Sequence, residues 1–350
     1  MRISKSVIAI PPGATIREQL ELRGMKQKEF AQRMDMSEKH ISRLISGHVE
    51  LTQDVAIRLE DVLGVPANFW NNLEILYREA LARVEEENDM ESEVEFASKF
   101  PYLQASKLGW VPAATNSLEK VHNLRKFFEV AKLSCLGDLG MPGIAYRRLG
   151  SNDTSDYALA LWAQKVRLQA RDINVGPIDV KGIKNLIPTI REMTLKTPDE
   201  FCERIISLFA EVGVAVVFLQ HLKGSYLHGA TFYDGNKIVM GLTARGTDAD
   251  RFWFSLFHEM GHILAGHLNK KALSSEEAET EADEIAKNIL IPAKAYFSFV
   301  EKGDYTKDAI LEFAANQGVA PGIVVGRLQK EKRISYDKYS DLKEHYKIAC

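Results

Sequence analysis

The chain has 350 residues, 45% hydrophobic and 27% charged, with a formal net charge of −3. This length predicts two or three domains with real cores, and the composition excludes a disordered tail. A net charge so near neutral does not by itself suggest nucleic acid, so a DNA-binding role must rest on a local motif. The cysteines, Cys135, Cys202 and Cys350, are odd in number and form no C-x-x-C, which fits a reducing cytoplasm better than a disulfide framework. The opening MRISKSVIAIPPG lacks the apolar run of a secretory signal. No stretch approaches about eighteen uninterrupted apolar residues, so the expectation is a cytoplasmic protein without a membrane partner.

Residues 1–10 read as a short extended arm, stopped by Pro11-Pro12-Gly13. Short helices follow. Ile16, Leu20 and Leu22 mark the first, and Phe30, Ala31 and Met34 face inward on the second. Asp35-Met36 makes a tight turn, and Ser37 caps a third helix, residues 38–45, that ends at Ser46-Gly47. Thr52 caps a fourth that ends at Gly64, and Pro66 opens a fifth with Phe69 and Trp70. Two helices joined by a tight turn describe a helix-turn-helix. With Met36, Ile41 and Leu44 inward, Ser37, Glu38, Lys39, His40, Ser42 and Arg43 point outward. Lys39 and Arg43 can reach phosphate or guanine, and Ser37, His40 and Ser42 can add shorter contacts. Gln27 can reach a backbone phosphate.

The stretch PPGATIREQLELRGMKQKEFAQRMDMSEKHISRLISG resembles the lambda-repressor-like (XRE-type) helix-turn-helix, and specifically the HigA-type antitoxin branch, over about residues 8–80. The resemblance implies a double-stranded DNA operator as partner, and the geometry of paired half-sites implies a homodimer. The plainer alternative is a small helical bundle used for protein contacts.

Residues 72–95 continue as a Glu-rich helix, read as a solvated connector. Residues 96–205 are mostly helical, over 118–128, 157–168, 182–193 and 199–212, with a break at Pro142-Gly143 and no evident catalytic constellation. Strand signals follow at residues 213–219, 227–233 and 237–242, the last two flanking a hairpin turn at Asp234-Gly235-Asn236. An edge strand here could hold a peptide in extended form. Asp248 and Asp250 suit the N-terminal end of the next helix. Tyr226, His228, Tyr233 and Arg251 are candidates to polarise a carbonyl, each with an ordinary reading as a surface or core residue.

That next helix carries FWFSLFHEMGHILAGH, with an H-E-x-x-H at residues 258–262. Four residues apart on a helix, His258 and His262 share one face and can hold one metal ion, with Glu259 beside them as general base. A third ligand is needed. His267 is one residue out of register with H-E-x-x-H-x-x-G-x-x-H. On a second helix, Glu279 and Asp283 share a face: Glu279 could bind zinc and Asp283 could receive the outer N–H of a ligand histidine. Glu281 has no partner at that offset and reads as solvated acidic surface.

The pair FWFSLFHEMGHILAGH and ETEADEIAKNILIP resembles the ImmA/IrrE-type zinc metallopeptidases over about residues 205–330, with Ile285 where the family usually has Phe. The resemblance implies a zincin core and cleavage of a repressor or regulator protein in a stress or mobile-element response. Residues 310–328 have the rhythm of a second helix-turn-helix, read as packing on the core. The alternative there is a second DNA contact through Arg327, Lys330, Lys332 and Arg333.

The expectation is therefore a mainly α protein with a small β-sheet (α+β). Residues 1–80 form a DNA-binding domain, 81–205 a helical middle region, 206–292 a zincin core and 293–350 a helical region packed on it. The zinc set is His258, His262 and Glu279, with Glu259 as general base and Asp283 behind the ligands. A different class of function is an antitoxin-type transcription factor, with a toxin partner, whose zincin domain is a sensor or scaffold without turnover.

Overall fold

The structure is a computed structural model that describes residues 2–4, 6–137, 154–222, 229–243, 247–269 and 275–346. The chain divides into two compact units, residues 1–97 with 114–122 and residues 98–113 with 123–350. Helices predominate and the sheets are small, an α+β architecture. Among the described residues no single helix is long and apolar enough to cross a membrane.

In the first unit the N-terminal arm folds back on itself instead of running extended. Strand β1 (Arg2–Ile3) pairs antiparallel with β2 (Ile8–Ala9). The turn is closed by Ser4 N–H donating to the Val7 carbonyl at 2.9 Å. Arg2 pairs with Glu85 at 2.7 Å and the Ser6 hydroxyl donates to Glu87 at 2.5 Å, so two glutamates of the acidic run hold the arm. Five helices follow: α1 (Gly13–Leu22), α2 (Gln27–Arg33), α3 (Glu38–Ile45), α4 (Gln53–Leu63) and α5 (Ala67–Ser98). The last is one helix of 32 residues that absorbs the Glu-rich run.

Ile16, Leu20, Phe30, Met34, Ile41, Leu59 and Trp70 form the core of this unit. Leu22 is 79% exposed, because six residues beyond Ile16 it lies on the far side of α1. Phe69 is also exposed, next to buried Trp70. Between α2 and α3 the chain turns at Asp35, whose φ of 53° is the left-handed conformation that Asp tolerates. Ser37 caps α3 by accepting from His40 N–H at 3.2 Å. Arg58 of α4 donates to the carbonyls of Met34 and Asp35 at 3.1 and 3.4 Å, which pins the turn from outside the motif.

The second unit begins with α6 (Tyr102–Lys107) and the end of α7 (Ser117–Phe128). It continues with α8 (Thr154–Ala170), α9 (Val180–Asn185), α10 (Ile187–Glu192) and α11 (Pro198–Glu211). The helix expected over 182–193 is broken in two, since Pro188 occupies the first turn of α10 and cannot continue a preceding helix. The sheet has the order β3-β5-β4, with β3 (Val214–Leu219) parallel to β5 (Lys237–Thr243) and β4 (Gly229–Asp234) antiparallel to it. Gly235, at φ 61°, makes the hairpin turn between β4 and β5.

Side chains alternate across these strands. Trp162 and Val166 of α8 lie against Gly241 on one face. Val214, Val216, Ile238, Met240 and Leu242 join the core shared with α11 and with α12 (Ala249–Leu264). That helix follows β6 (Thr247–Asp248). After it come α13 (Ser275–Leu290), α14 (Ala293–Lys302), α15 (Lys307–Gln317), α16 (Pro321–Lys330) and β7 (His345–Tyr346), which pairs with β6. Buried Ile323, Val324, Val325 and Leu328 of α16 belong to the same core as α12. Arg327 is committed to packing: it lies 3.6 Å over the Tyr296 ring and donates to the carbonyls of Ile291 and Lys287.

Candidate metal centre

The motif lies in the last half of α12. Phe252, Trp253, Leu256, Phe257 and Met260 are fully buried on its core side, which orients His258 and His262 toward α13. The two helices meet closely at Gly261. A Cβ there would sit 3.0 Å from the Ala282 carbonyl oxygen and 3.1 Å from its Cα, so the approach that brings α13 to the histidines depends on a missing side chain.

Across that contact His258, His262 and Glu279 each offer a ligand atom, all within 4.8 Å of one another, so the three could hold one metal ion. The Nε2 atoms of the two histidines are 3.0 Å apart. Glu279 places Oε2 3.1 Å from His258 Nε2 and Oε1 3.5 Å from His262 Nε2. Asp283, one turn on, meets His258 Nδ1 at 2.8 Å. The offset of four between Glu279 and Asp283 thus brings both carboxylates to the same imidazole.

Burial alone would pull the His258 pKa down. The hydrogen bonds to Asp283 and Glu279 and the charges of Glu259 and Glu279 outweigh it and hold the value at about 10. His262, with burial and the His258 charge acting together, is pushed down to about 4. The same contacts lower Glu279 and Asp283, chiefly through their hydrogen bonds to His258.

Glu259 is 5% exposed, turned from α12 toward β4. The Thr231 hydroxyl donates to its Oε2 at 2.6 Å. At Gly229 a Cβ would come within 2.6 Å of its Oε1, so β4 leaves room for the carboxylate at one residue and grips it at another. Burial raises its pKa to about 7, against the opposing His258 charge and the Thr231 hydrogen bond. A carboxyl poised near neutrality can both accept and return a proton.

Two parts of this neighbourhood had no sequence signal. Thr231 is 28 residues from Glu259 and on another element. Glu281, read as solvated surface, instead meets His267 Nε2 at 3.0 Å, and His267 Nδ1 meets His262 Nδ1 at 3.0 Å. His267 is buried and stands behind His262 instead of joining the ligand atoms.

Asp248 at the N-cap position and Asp250 in the first turn lie at the N-terminal end of α12 as expected, without a capping hydrogen bond from the Asp248 side chain, and the C-terminal segment engages both. Lys343 Nζ lies 3.0 Å from Asp250, and His345 Nδ1 2.8 Å from Asp248. Arg251 is exposed and 3.6 Å from Asp248, and Tyr233 lies two residues beyond Thr231 on β4. Tyr226 and His228 lie outside the described residues.

In the first unit Gln27, Ser37, Lys39, Ser42 and Arg43 are exposed at the start of α2 and on the outer side of α3. One of the six residues read as DNA contacts is differently placed: His40 is half-buried with Nε2 enclosed and unpartnered, so it does not simply point outward, while Ser37 caps α3 as expected.

Comparison with known proteins matches a stretch within each unit. The helix-turn-helix family profile matches residues 16–70, and the profile of the IrrE N-terminal-like domain, a peptidase family, matches residues 210–329. The HTH-type transcriptional regulator YddM of Escherichia coli is 36% identical over 63 residues, which are 18% of this chain and 67% of that protein. An addiction module antidote protein of the HigA family from Coxiella burnetii, of known structure, is 27% identical with a TM-score of 0.22. The match covers 24% of this chain and 94% of that one.

Proposed function

Because the chain belongs to the helix-turn-helix transcriptional regulators and carries an IrrE N-terminal-like domain, we propose that it is a DNA-binding regulator with a zinc-dependent endopeptidase centre that cleaves a repressor or another regulatory protein. The observation that carries this reading is the convergence of His258, His262 and Glu279 beside a buried Glu259. Tetrahedral zinc ligands with bonds of about 2.0–2.1 Å stand about 3.3 Å apart. The separations here, 3.0, 3.1 and 3.5 Å, bracket that value. Two imidazoles and a carboxylate are also a donor set that suits zinc and leaves a position open for substrate.

A zinc ion held there supplies a Lewis acid that polarises the scissile carbonyl and activates water near neutral pH. Glu259 takes the proton from the attacking water and delivers it to the leaving nitrogen, held in place by Thr231. Asp283, accepting from His258 Nδ1–H, would leave His258 Nε2 free to hold the ion together with His262 and Glu279. The outer edge of β4 accepts the substrate as an extended strand, next to the base. Lys39, Ser42, Arg43 and Gln27 meet the operator, with a dimer reading two half-sites.

The test is elemental analysis of the purified full chain beside His258→Ala and Glu279→Ala. About one zinc per chain, lost in both variants, is the expected result. Glu259→Gln should keep the zinc and operator binding but change the output of an operator-linked reporter. If reporter output and operator binding both match the wild type, the peptidase reading fails. A wild type that binds DNA without metal favours the antitoxin-type reading, with the second unit as scaffold beside a toxin partner.

A further inference from the structure

We propose that His267 and Glu281 are positioning residues that set the tautomer and orientation of His262 for metal binding, through the chain His262–His267–Glu281. The inference rests on the metal reading above and concerns residues that the ligand set leaves out.

The two candidate ligand histidines are supported differently. His258 turns its outer nitrogen directly to a carboxylate, Asp283, at 2.8 Å. His262 turns its outer nitrogen to another imidazole, His267 Nδ1, at 3.0 Å, and only the far nitrogen of that ring reaches a carboxylate, Glu281 Oε2, at 3.0 Å. An ionised carboxylate only accepts hydrogen bonds. His267 must therefore carry its hydrogen on Nε2 to donate to Glu281. A neutral His267 then has a bare Nδ1, which can only accept. His262 must supply the hydrogen from its own Nδ1, and this leaves the lone pair of His262 on Nε2. That atom is the one 3.0 Å from His258 Nε2 and 3.5 Å from Glu279. The acceptor at one end of the chain thus selects the free nitrogen at the other.

Position supports the same role. Gly266, at φ 73°, turns the chain sharply after α12, so that His267 folds back beneath the helix. His267 is buried, with 7% of its surface exposed, which holds its ring against His262. Glu281 projects from α13 two residues after Glu279, so α13 serves both histidines: Glu279 and Asp283 reach His258, and Glu281 reaches the relay behind His262.

The test measures zinc affinity of the full chain by competition with a chelating dye, with melting followed by circular dichroism. His267→Leu and Glu281→Ala should each weaken zinc binding by about 10–100-fold. His267→Gln and Glu281→Gln, which can still pass a hydrogen bond along the chain, should lose much less. The double variant His267→Leu/Glu281→Ala should be no weaker than His267→Leu alone. Glu276→Ala, on the same helix, is the control and should bind as wild type. If His267→Leu fails to fold, Glu281→Ala decides, because that side chain is 51% exposed and its removal opens no core.

Wild-type affinity in Glu281→Ala and in any folded His267→Leu, while Glu279→Ala loses zinc, would overturn the relay and leave the metal reading standing. Equal and negligible zinc in wild type and Glu279→Ala would sink the metal reading and the relay with it. A second readout needs no metal. Imidazole nitrogen spectra of the metal-free chain should show His262 protonated on Nδ1 and His267 on Nε2, with the His262 preference lost in Glu281→Ala. A His262 signal that Glu281→Ala leaves unchanged counts against the relay.

Discussion

At the scale of single residues, Glu259 sets the pH behaviour of the site. Its folded-state pKa of about 7 lies above the ordinary carboxylate value of 4.5, because it is buried. Between those two values the folded chain holds a proton that the unfolded chain has released. Stability therefore falls as pH rises from 4.5 through 7. A displacement of that size is worth on the order of 3 kcal/mol. Glu259→Gln should flatten this part of the metal-free stability profile, measured by denaturant unfolding between pH 5 and 8. His258 acts above it. Its folded value of about 10 is raised from 6.5, so its contribution is complete below 6.5 and is lost as pH rises through 10. Thr231→Val removes a hydrogen bond that holds the Glu259 pKa down, so the carboxyl should titrate still higher, read by NMR of the side-chain carboxyl carbon. The i, i+4 pairs were legible in the sequence, since a helix places them on one face whatever surrounds it. Thr231 was not, because no periodicity says which strand residue will meet which helix residue.

At the scale of elements, the close crossing of α12 and α13 brings the carboxylates to the histidines. Gly261→Val should push the helices apart at Ala282, and zinc affinity should drop even though every ligand residue remains. A competition assay that finds wild-type affinity would show that the crossing tolerates a side chain. In the first unit, Arg43→Ala should cost about 1–3 kcal/mol of operator binding if the arginine reads a guanine, tested by gel shift at matched salt. Arg58→Ala should loosen the turn at Asp35 and lower the melting temperature without touching DNA itself. The caps at Ser37 and Thr52 and the stop at Gly64 could be read from the sequence, because they are local chemistry. The break between α9 and α10 was missed although Pro188 signals it, since apolar spacing alone ran through the proline. The folding back of the arm onto α5 depends on Arg2, Ser6, Glu85 and Glu87, which are far apart in sequence.

At the scale of the whole molecule, two compact units should melt as two cooperative events, with zinc raising only the one that contains α12 and α13. At a free zinc concentration a hundredfold above its dissociation constant the gain is about 2.7 kcal/mol. Calorimetry with and without zinc checks this, and equal shifts in both transitions would contradict it. The unit boundaries do not follow chain order, since residues 114–122 group with the first unit and 98–113 with the second. A linear reading of the composition cannot find such an exchange. Helix α8, inside the stretch 81–205 read as a middle region, lies against the sheet through Trp162 and Val166.

Strand β4 has one more consequence. Among the described residues β4 is the edge of its sheet, so the same short strand that grips Glu259 through Thr231 could pair with a further strand on its outer side. A peptide laid along it, as the proposed function has it, would be measured as well as held. Side chains on a strand alternate, so a slip of one residue turns every side chain of the peptide to the opposite face, while a slip of two restores the pattern. The strand is then a ruler with a two-residue division, fixed relative to the base. If the proposed peptidase acts on a peptide seated there, secondary cleavages should fall an even number of residues from the main one, and the product termini, read by mass spectrometry, would carry that parity.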